Sequence, residues 1–136
     1  MVIKNNKEQK MDYKNGKIYK IVSDLTDKIY IGSTCQPLCK RISKHRNNFK
    51  SFKEGKYGLN TSFEIIKLGN YFIVLIENVE CDNKEQLFAR ERYYIELHKD
   101  NCVNKYIPTR SIKEWTDDNK ADRKKYQEKY YFGLKI

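Results

Sequence analysis

The chain of 136 residues carries 28 Lys and Arg against 18 Asp and Glu, a formal net charge of +10. That length holds one domain and not two of ordinary size; a 13% aromatic share, mostly eleven tyrosines, excludes a wholly disordered chain. The longest apolar run, Tyr71 to Ile76, is far too short to cross a bilayer, so a soluble, intracellular protein with a polyanionic partner and no membrane is expected.

Residues 1–13 are polar, lysine-rich and without period, and read as a loose basic arm. Lys17 to Val22 and Lys28 to Gly32 are short β-branched and aromatic runs; with residues 23–27 between them they predict a hairpin. Pro37 suits the first turn of a helix whose apolar stripe is Leu38, Ile42, Phe49 and Phe52, ending near Gly55. Thr61 to Leu68 fits a short helix or a strand, closed by Gly69-Asn70. Tyr71 to Val79 reads as a strand, and Asp82 or Asn83 as the cap of a helix to about His98. Asn101 to Ile107 is extended until Pro108, and Ser111 to about Tyr131 predicts a charged helix with Ile112, Trp115, Tyr126 and Tyr130 as its apolar contacts. The expected organisation is therefore an arm (1–13), a domain (14–107) and a basic helical extension (108–136).

Charge is segregated along this plan. Residues 1–57 hold 14 basic and 5 acidic side chains, residues 58–104 hold 5 and 8, and residues 105–136 hold 9 and 5. Two basic regions flanking an acidic middle show where a phosphate backbone would lie, and say nothing about chemistry.

Three positions break the apolar pattern. His45 fills the slot between Ile42 and Phe49 on the inner face of the first long helix, with Arg41 one turn before it; a core-margin histidine with one hydrogen bond accounts for it as well as a functional one. Glu91 sits amid Leu87, Phe88, Tyr94, Ile95 and His98 on the inner face of the other helix. An ionised carboxylate there needs compensation, and a salt bridge to Arg41 or a divalent cation would each supply it. In the hairpin, an odd pairing sum places Tyr19 and Tyr30 on one face, and a sum of 49 sets them directly opposite. The four cysteines read as reduced thiols without a disulfide; Cys35, Cys39, His98 and Cys102 assemble on paper into a zinc site, at spacings wider than the strongest zinc patterns.

At these residues the sequence resembles the GIY-YIG nuclease family. The first motif reads Gly16-Lys17-Ile18-Tyr19 and the second Tyr30-Ile31-Gly32-Ser33-Thr34; Leu38, Arg41 and His45 follow at the family's helical spacing, then Glu91-Arg92-Tyr93-Tyr94-Ile95 and Asn104. The match runs in order over residues 15–106. Lys17 replaces the first glycine of the name motif, and Ser33 stands where some members carry a lysine thought to help activate the tyrosine.

The resemblance implies an α+β sandwich: a small three-stranded antiparallel sheet flanked by helices, with the active site on one sheet face. It implies a metal-dependent DNA endonuclease in which Glu91 binds one Mg²⁺ or Mn²⁺ and Tyr19 acts as general base or proton relay. Tyr30 would orient the water or the phosphate, Arg41 would hold phosphate oxygens, His45 would hydrogen-bond Tyr19 or assist the leaving group, and Asn104 would brace the site. DNA would dock on Lys17, Lys28, Lys40, Lys44 and Arg46. No organic cofactor is implied, and a homodimer through the aromatics of the C-terminal helix is one assembly consistent with the sequence. The competing class is a basic DNA-binding module that keeps the fold without the activity.

Overall fold

The computed structural model describes residues 12–120. A 3-10 turn at Tyr13–Asn15 leads into β1 (Gly16–Ser23) and β2 (Thr26–Thr34), then α1 (Leu38–Lys53), α2 (Phe63–Ile66), β3 (Tyr71–Val79), α3 (Lys84–Leu97) and α4 (Ile112–Asp118). The strands form one antiparallel sheet in the order β2-β1-β3. Because side chains alternate along a strand, the two faces carry separate cores. Tyr19, Ile21 and Ile65 pack with Tyr30, Leu38 and Ile42 under α1 and α2. Ile18, Ile29, Ile31, Cys81, Leu87 and Ile95 fill the other face under α3.

The hairpin is tighter than its sequence suggests. Ser23 pairs with Thr26 across a two-residue turn, and an irregularity between Ile21 and Ser23 then shifts the pairing so that Tyr19 faces Gly32 and Ile21 faces Tyr30. The sum of 49 therefore holds only at the turn and becomes 51 beyond it. Both sums are odd, so the tyrosines share a face, but they sit diagonally rather than opposite.

The ring of Tyr19 lies across Gly32: a Cβ there would come 2.4 Å from the Tyr19 hydroxyl and 2.5 Å from Cζ. Gly16 is fixed similarly, since a Cβ would sit 2.6 Å from the Val79 carbonyl oxygen. The glycines of both motifs are thus required for close approach, whichever residue stands at position 17.

Thr61 to Leu68 resolves as helix, with α2 occupying Phe63–Ile66. Gly69 and Asn70 (φ 79° and 48°) turn the chain into β3, and the Ser23 hydroxyl donates to the Gly69 carbonyl at 2.7 Å. Asn83, not Asp82, caps α3 by accepting from the Gln86 N–H at 3.0 Å. On α3 the expected inner residue Phe88 is exposed, whereas Leu87 and Ile95 are buried. Phe88 lies one residue, about 100° of helical turn, beyond the buried Leu87 and falls at the solvent margin, while Arg90 binds Glu77 of β3 at 2.6 and 2.9 Å.

The expected C-terminal helix appears as α4, whose Ser111–Glu114 capping box fixes its start. Its expected contacts Ile112 and Trp115 are exposed instead of packed, and Tyr126 and Tyr130 lie outside the described residues. The arm at 1–13 also lies outside them, except for Asp12 and Tyr13. No helix among the described residues is long and apolar enough to cross a membrane.

Gly32→Ala should cost about 1–3 kcal/mol of stability through overpacking and displace the Tyr19 ring. Urea unfolding measures the first and near-ultraviolet circular dichroism of the tyrosines the second; a variant with the stability and spectrum of wild type would contradict this packing.

Candidate active site

Two side chains of α1 converge on the phenol of Tyr19. Arg41 and His45 are four residues apart and lie on one helix face. Arg41 Nε donates to the Tyr19 hydroxyl oxygen at 3.0 Å, and His45 Nε2 lies 2.7 Å from the same oxygen. His45 Nδ1 in turn lies 3.0 Å from Ser62 Oγ at the start of α2. The Ser62 N–H donates to Asn60 Oδ1 at 2.9 Å, which fixes the loop. Tyr19, His45 and Ser62 are 0, 3 and 0% exposed. The Tyr30 ring stands edge-on to His45 at 5.4 Å and 6.4 Å from Tyr19.

Burial dominates the electrostatics here. It pushes the Tyr19 phenol up to about 12, against the pull of the Arg41 guanidinium. Tyr30 is raised too, by burial and then by its neighbours Tyr19 and Glu91. His45 is pushed down to about 3 by burial, then by Arg41 and Lys44, so the imidazole is neutral at ordinary pH. A neutral imidazole offers one N–H and one acceptor nitrogen. With one nitrogen against Tyr19 and the other against Ser62, His45 has no nitrogen left for a leaving group.

The remaining groups reach the site around the outer edge of β2. The backbone at Asn101–Val103 pairs with Ile29: Ile29 N–H donates to Asn101 O at 3.0 Å and Val103 N–H to Ile29 O at 2.8 Å. Asn104 continues this ladder with its side chain. Its Oδ1 accepts from the Ile31 N–H at 2.9 Å and its Nδ2 donates to the Ile31 carbonyl at 2.7 Å.

Glu91 comes from α3. Its Oε1 accepts from the Ser33 hydroxyl at 2.5 Å, so the position that departs from the lysine of some relatives serves the carboxylate. The salt bridge to Arg41 does not form; among the described residues Glu91 has no ion pair. Burial raises its carboxyl, opposed by the Ser33 hydrogen bond and by Arg41 acting through space. With Tyr30, Asn60, Thr61, Asn104 and Lys105 it lines an open pocket of about 280 Å³.

A divalent cation fits this donor set. Mg²⁺ typically takes one or two carboxylates plus waters and phosphate oxygens, and Glu91 offers a partly buried carboxylate without a cation beside it. Among the described residues no three His, Cys, Asp or Glu side chains cluster around a point. The zinc assembly is therefore not formed: Cys39 is exposed on α1, and Cys35 and Cys102 are half-buried free thiols.

The expected DNA-docking residues scatter more widely. Lys40 and Lys44 are exposed and line a shallow depression on α1 with Ser43 and Asn47. Lys28 is exposed on β2. Lys17 is half-buried and its Nζ donates to the Asn15 carbonyl at 3.0 Å. Arg46 is bound to β3 through the Tyr71 hydroxyl at 2.8 Å. Ser62 escaped the sequence reading altogether; it lies in a segment without period, and only the tertiary contact with His45 marks it.

The GIY-YIG catalytic domain model matches residues 15–106. Among solved structures, a variant of the catalytic domain of intron endonuclease I-TevI is similar, at 24% identity and a TM-score of 0.51, over 71% of this chain and 98% of that one. A second structure of the same homing endonuclease domain matches at 23% identity and a TM-score of 0.48, over 67% and 98%. The likeness concerns the fold. No curated protein matches.

A carboxyl raised by burial favours the protonated folded state, so its ionisation opposes folding as pH rises through and beyond its ordinary 4.5. Without metal, Glu91→Gln should therefore be more stable than wild type at pH 7. The gap should close as pH falls to 4. Thermal unfolding across that range measures it, and a gap that widens on acidification would reverse the sign argued here.

Proposed function

The chain belongs to the GIY-YIG family, its catalytic domain spanning residues 15–106, and from that premise we propose how this DNA endonuclease cuts its substrate. Phosphodiester hydrolysis needs an activated water, neutralisation of the developing charge on phosphorus and a leaving oxygen that can depart. The observation that carries the reading is one continuous site. Tyr19, Arg41 and His45 form a single hydrogen-bonded set, and Tyr30 links it to the pocket that holds Glu91 and Asn104.

Tyr19 is the general base, taking a proton from the attacking water. Its phenol is held protonated at rest by burial, and Arg41 is the fixed cation that favours the phenolate. Arg41 uses Nε on Tyr19, and its terminal nitrogens, which donate no hydrogen bond among the described residues, face the phosphate oxygens. Tyr30 orients the water or the phosphate at the pocket wall. Asn104 keeps β2 and the segment beyond α3 in register.

Members of this family generally use a divalent metal. Here Glu91 would hold it, oriented by Ser33, and Mg²⁺ or Mn²⁺ would supply charge neutralisation at the scissile phosphate. Lys28, Lys40 and Lys44 are assigned to the DNA backbone, with the arm at 1–13 and the extension at 108–136 adding basic track beyond the domain. A single site accounts for cutting one strand, so the reading does not depend on a homodimer.

Supercoiled plasmid with Mg²⁺ is the test. Wild type should nick it, EDTA should stop the reaction, and Glu91→Ala or Arg41→Ala should lower the rate by about 10²-fold or more. Intact plasmid with wild type across Mg²⁺, Mn²⁺ and low salt would leave only a DNA-binding module. Lys40→Ala and Lys44→Ala should each reduce the salt slope of DNA binding by about 1; unchanged slopes would remove them from the interface.

A further inference from the structure

The hydrogens of the Tyr19 network can be counted. Four groups contribute one each: the Ser62 hydroxyl, the neutral His45 imidazole, the Tyr19 hydroxyl and the Arg41 Nε–H. Three contacts receive them, at 3.0, 2.7 and 3.0 Å. Arginine only donates, so the contact between Arg41 and Tyr19 has one direction. The other two contacts run together in either of two ways, because His45 has one N–H and one acceptor.

In the first arrangement Tyr19 donates to Nε2 and Nδ1–H donates to Ser62, which leaves the Ser62 hydrogen without an acceptor. Ser62 is fully buried, and its hydroxyl has no hydrogen-bond partner other than His45 among the described residues. Tyr19 is buried just as fully, so an unmade donor costs alike on either group; the first arrangement is set apart because loss of the Tyr19 proton would leave the phenolate facing the Nε2 lone pair. In the second arrangement Ser62 donates to Nδ1 and Nε2–H donates to Tyr19. The surplus hydrogen is then the phenolic one. When that proton leaves, every remaining donor has an acceptor, and the phenolate oxygen receives two N–H bonds.

We propose that Ser62 is a positioning residue that fixes His45 as the Nε2–H tautomer, making His45 a donor to Tyr19 and preparing Tyr19 to act as a base. The proposal rests on the nuclease reading above, in which Tyr19 is the base, and on the two contacts of His45 at 2.7 and 3.0 Å. Before the step it serves, the Tyr19 phenol gives its proton to solvent; the phenolate then takes one proton from water, the hydroxide oxygen bonds to phosphorus, and the bond from phosphorus to the leaving oxygen breaks, that oxygen taking a proton from solvent. His45 neither gains nor loses a proton.

The chain has two histidines, so ¹⁵N labelling at histidine with His98→Gln as the assignment variant identifies the His45 signals. Nε2–H is expected in the wild-type protein at pH 7; Nδ1–H there overturns the proposal. Ser62→Ala should lose the tautomer bias and lower kcat about 10–100-fold with KM for DNA unchanged, and Ser62→Thr should restore both. An unchanged kcat in Ser62→Ala, or a change in KM alone, also overturns it. Should Ser62→Ala fail to fold, the wild-type tautomer still decides. Absence of nicking by wild type would defeat the nuclease reading while leaving the spectroscopic result standing, so the two failures are distinct.

Discussion

The side chain of Tyr19 lies flat against the backbone of Gly32, in space that a Cβ would fill. That contact is available only because the hairpin shifts its pairing beyond the turn and brings Gly32, rather than Tyr30, opposite Tyr19. With the ring lowered onto the sheet, its hydroxyl sits low enough for α1 to close over it. Arg41 and His45 then reach a single oxygen from one helix face. Had the tyrosines been paired face to face, two rings would compete for this volume, and α1 would have to ride farther from the strands.

The same closure sets the electrostatic conditions. A phenol excluded from water resists ionisation, and an imidazole excluded from water resists protonation; both hold at this site. The interior is therefore stocked with groups in neutral form beside one permanent cation. Glu91 is also raised by burial, but it lines the open pocket and its carboxylate is held by the Ser33 hydroxyl.

Much of this was legible from the sequence, and what was not has identifiable physical causes. Apolar spacing located α1, β3 and α3 to within a residue or two, because each buries a stripe against the sheet. Parity put Tyr19 and Tyr30 on one face, yet nothing local reports an irregularity of pairing, so their relative offset could not be read. Phe88 was assigned inward from its hydrophobicity, whereas one step of helical rotation past the buried Leu87 leaves it at the solvent margin. Asn104 entered through family resemblance alone; its role depends on a strand edge 73 positions away in sequence. Ser62 was invisible because a buried serine on a short helix has no periodic signature.

The pairing of Asn104 with Ile31 has a bearing on what this domain avoids. An uncovered outer strand offers a row of amide donors and acceptors on which a foreign strand can grow, the common start of edge-to-edge aggregation. On β2 that template is already consumed: backbone from residues 101–103 takes the groups of Ile29, and one carboxamide takes both groups of Ile31. The strand that carries half of the site is thereby made unavailable for sticking to its own kind. At these two residues the chain that follows α3 caps the edge of β2 without a further layer of structure.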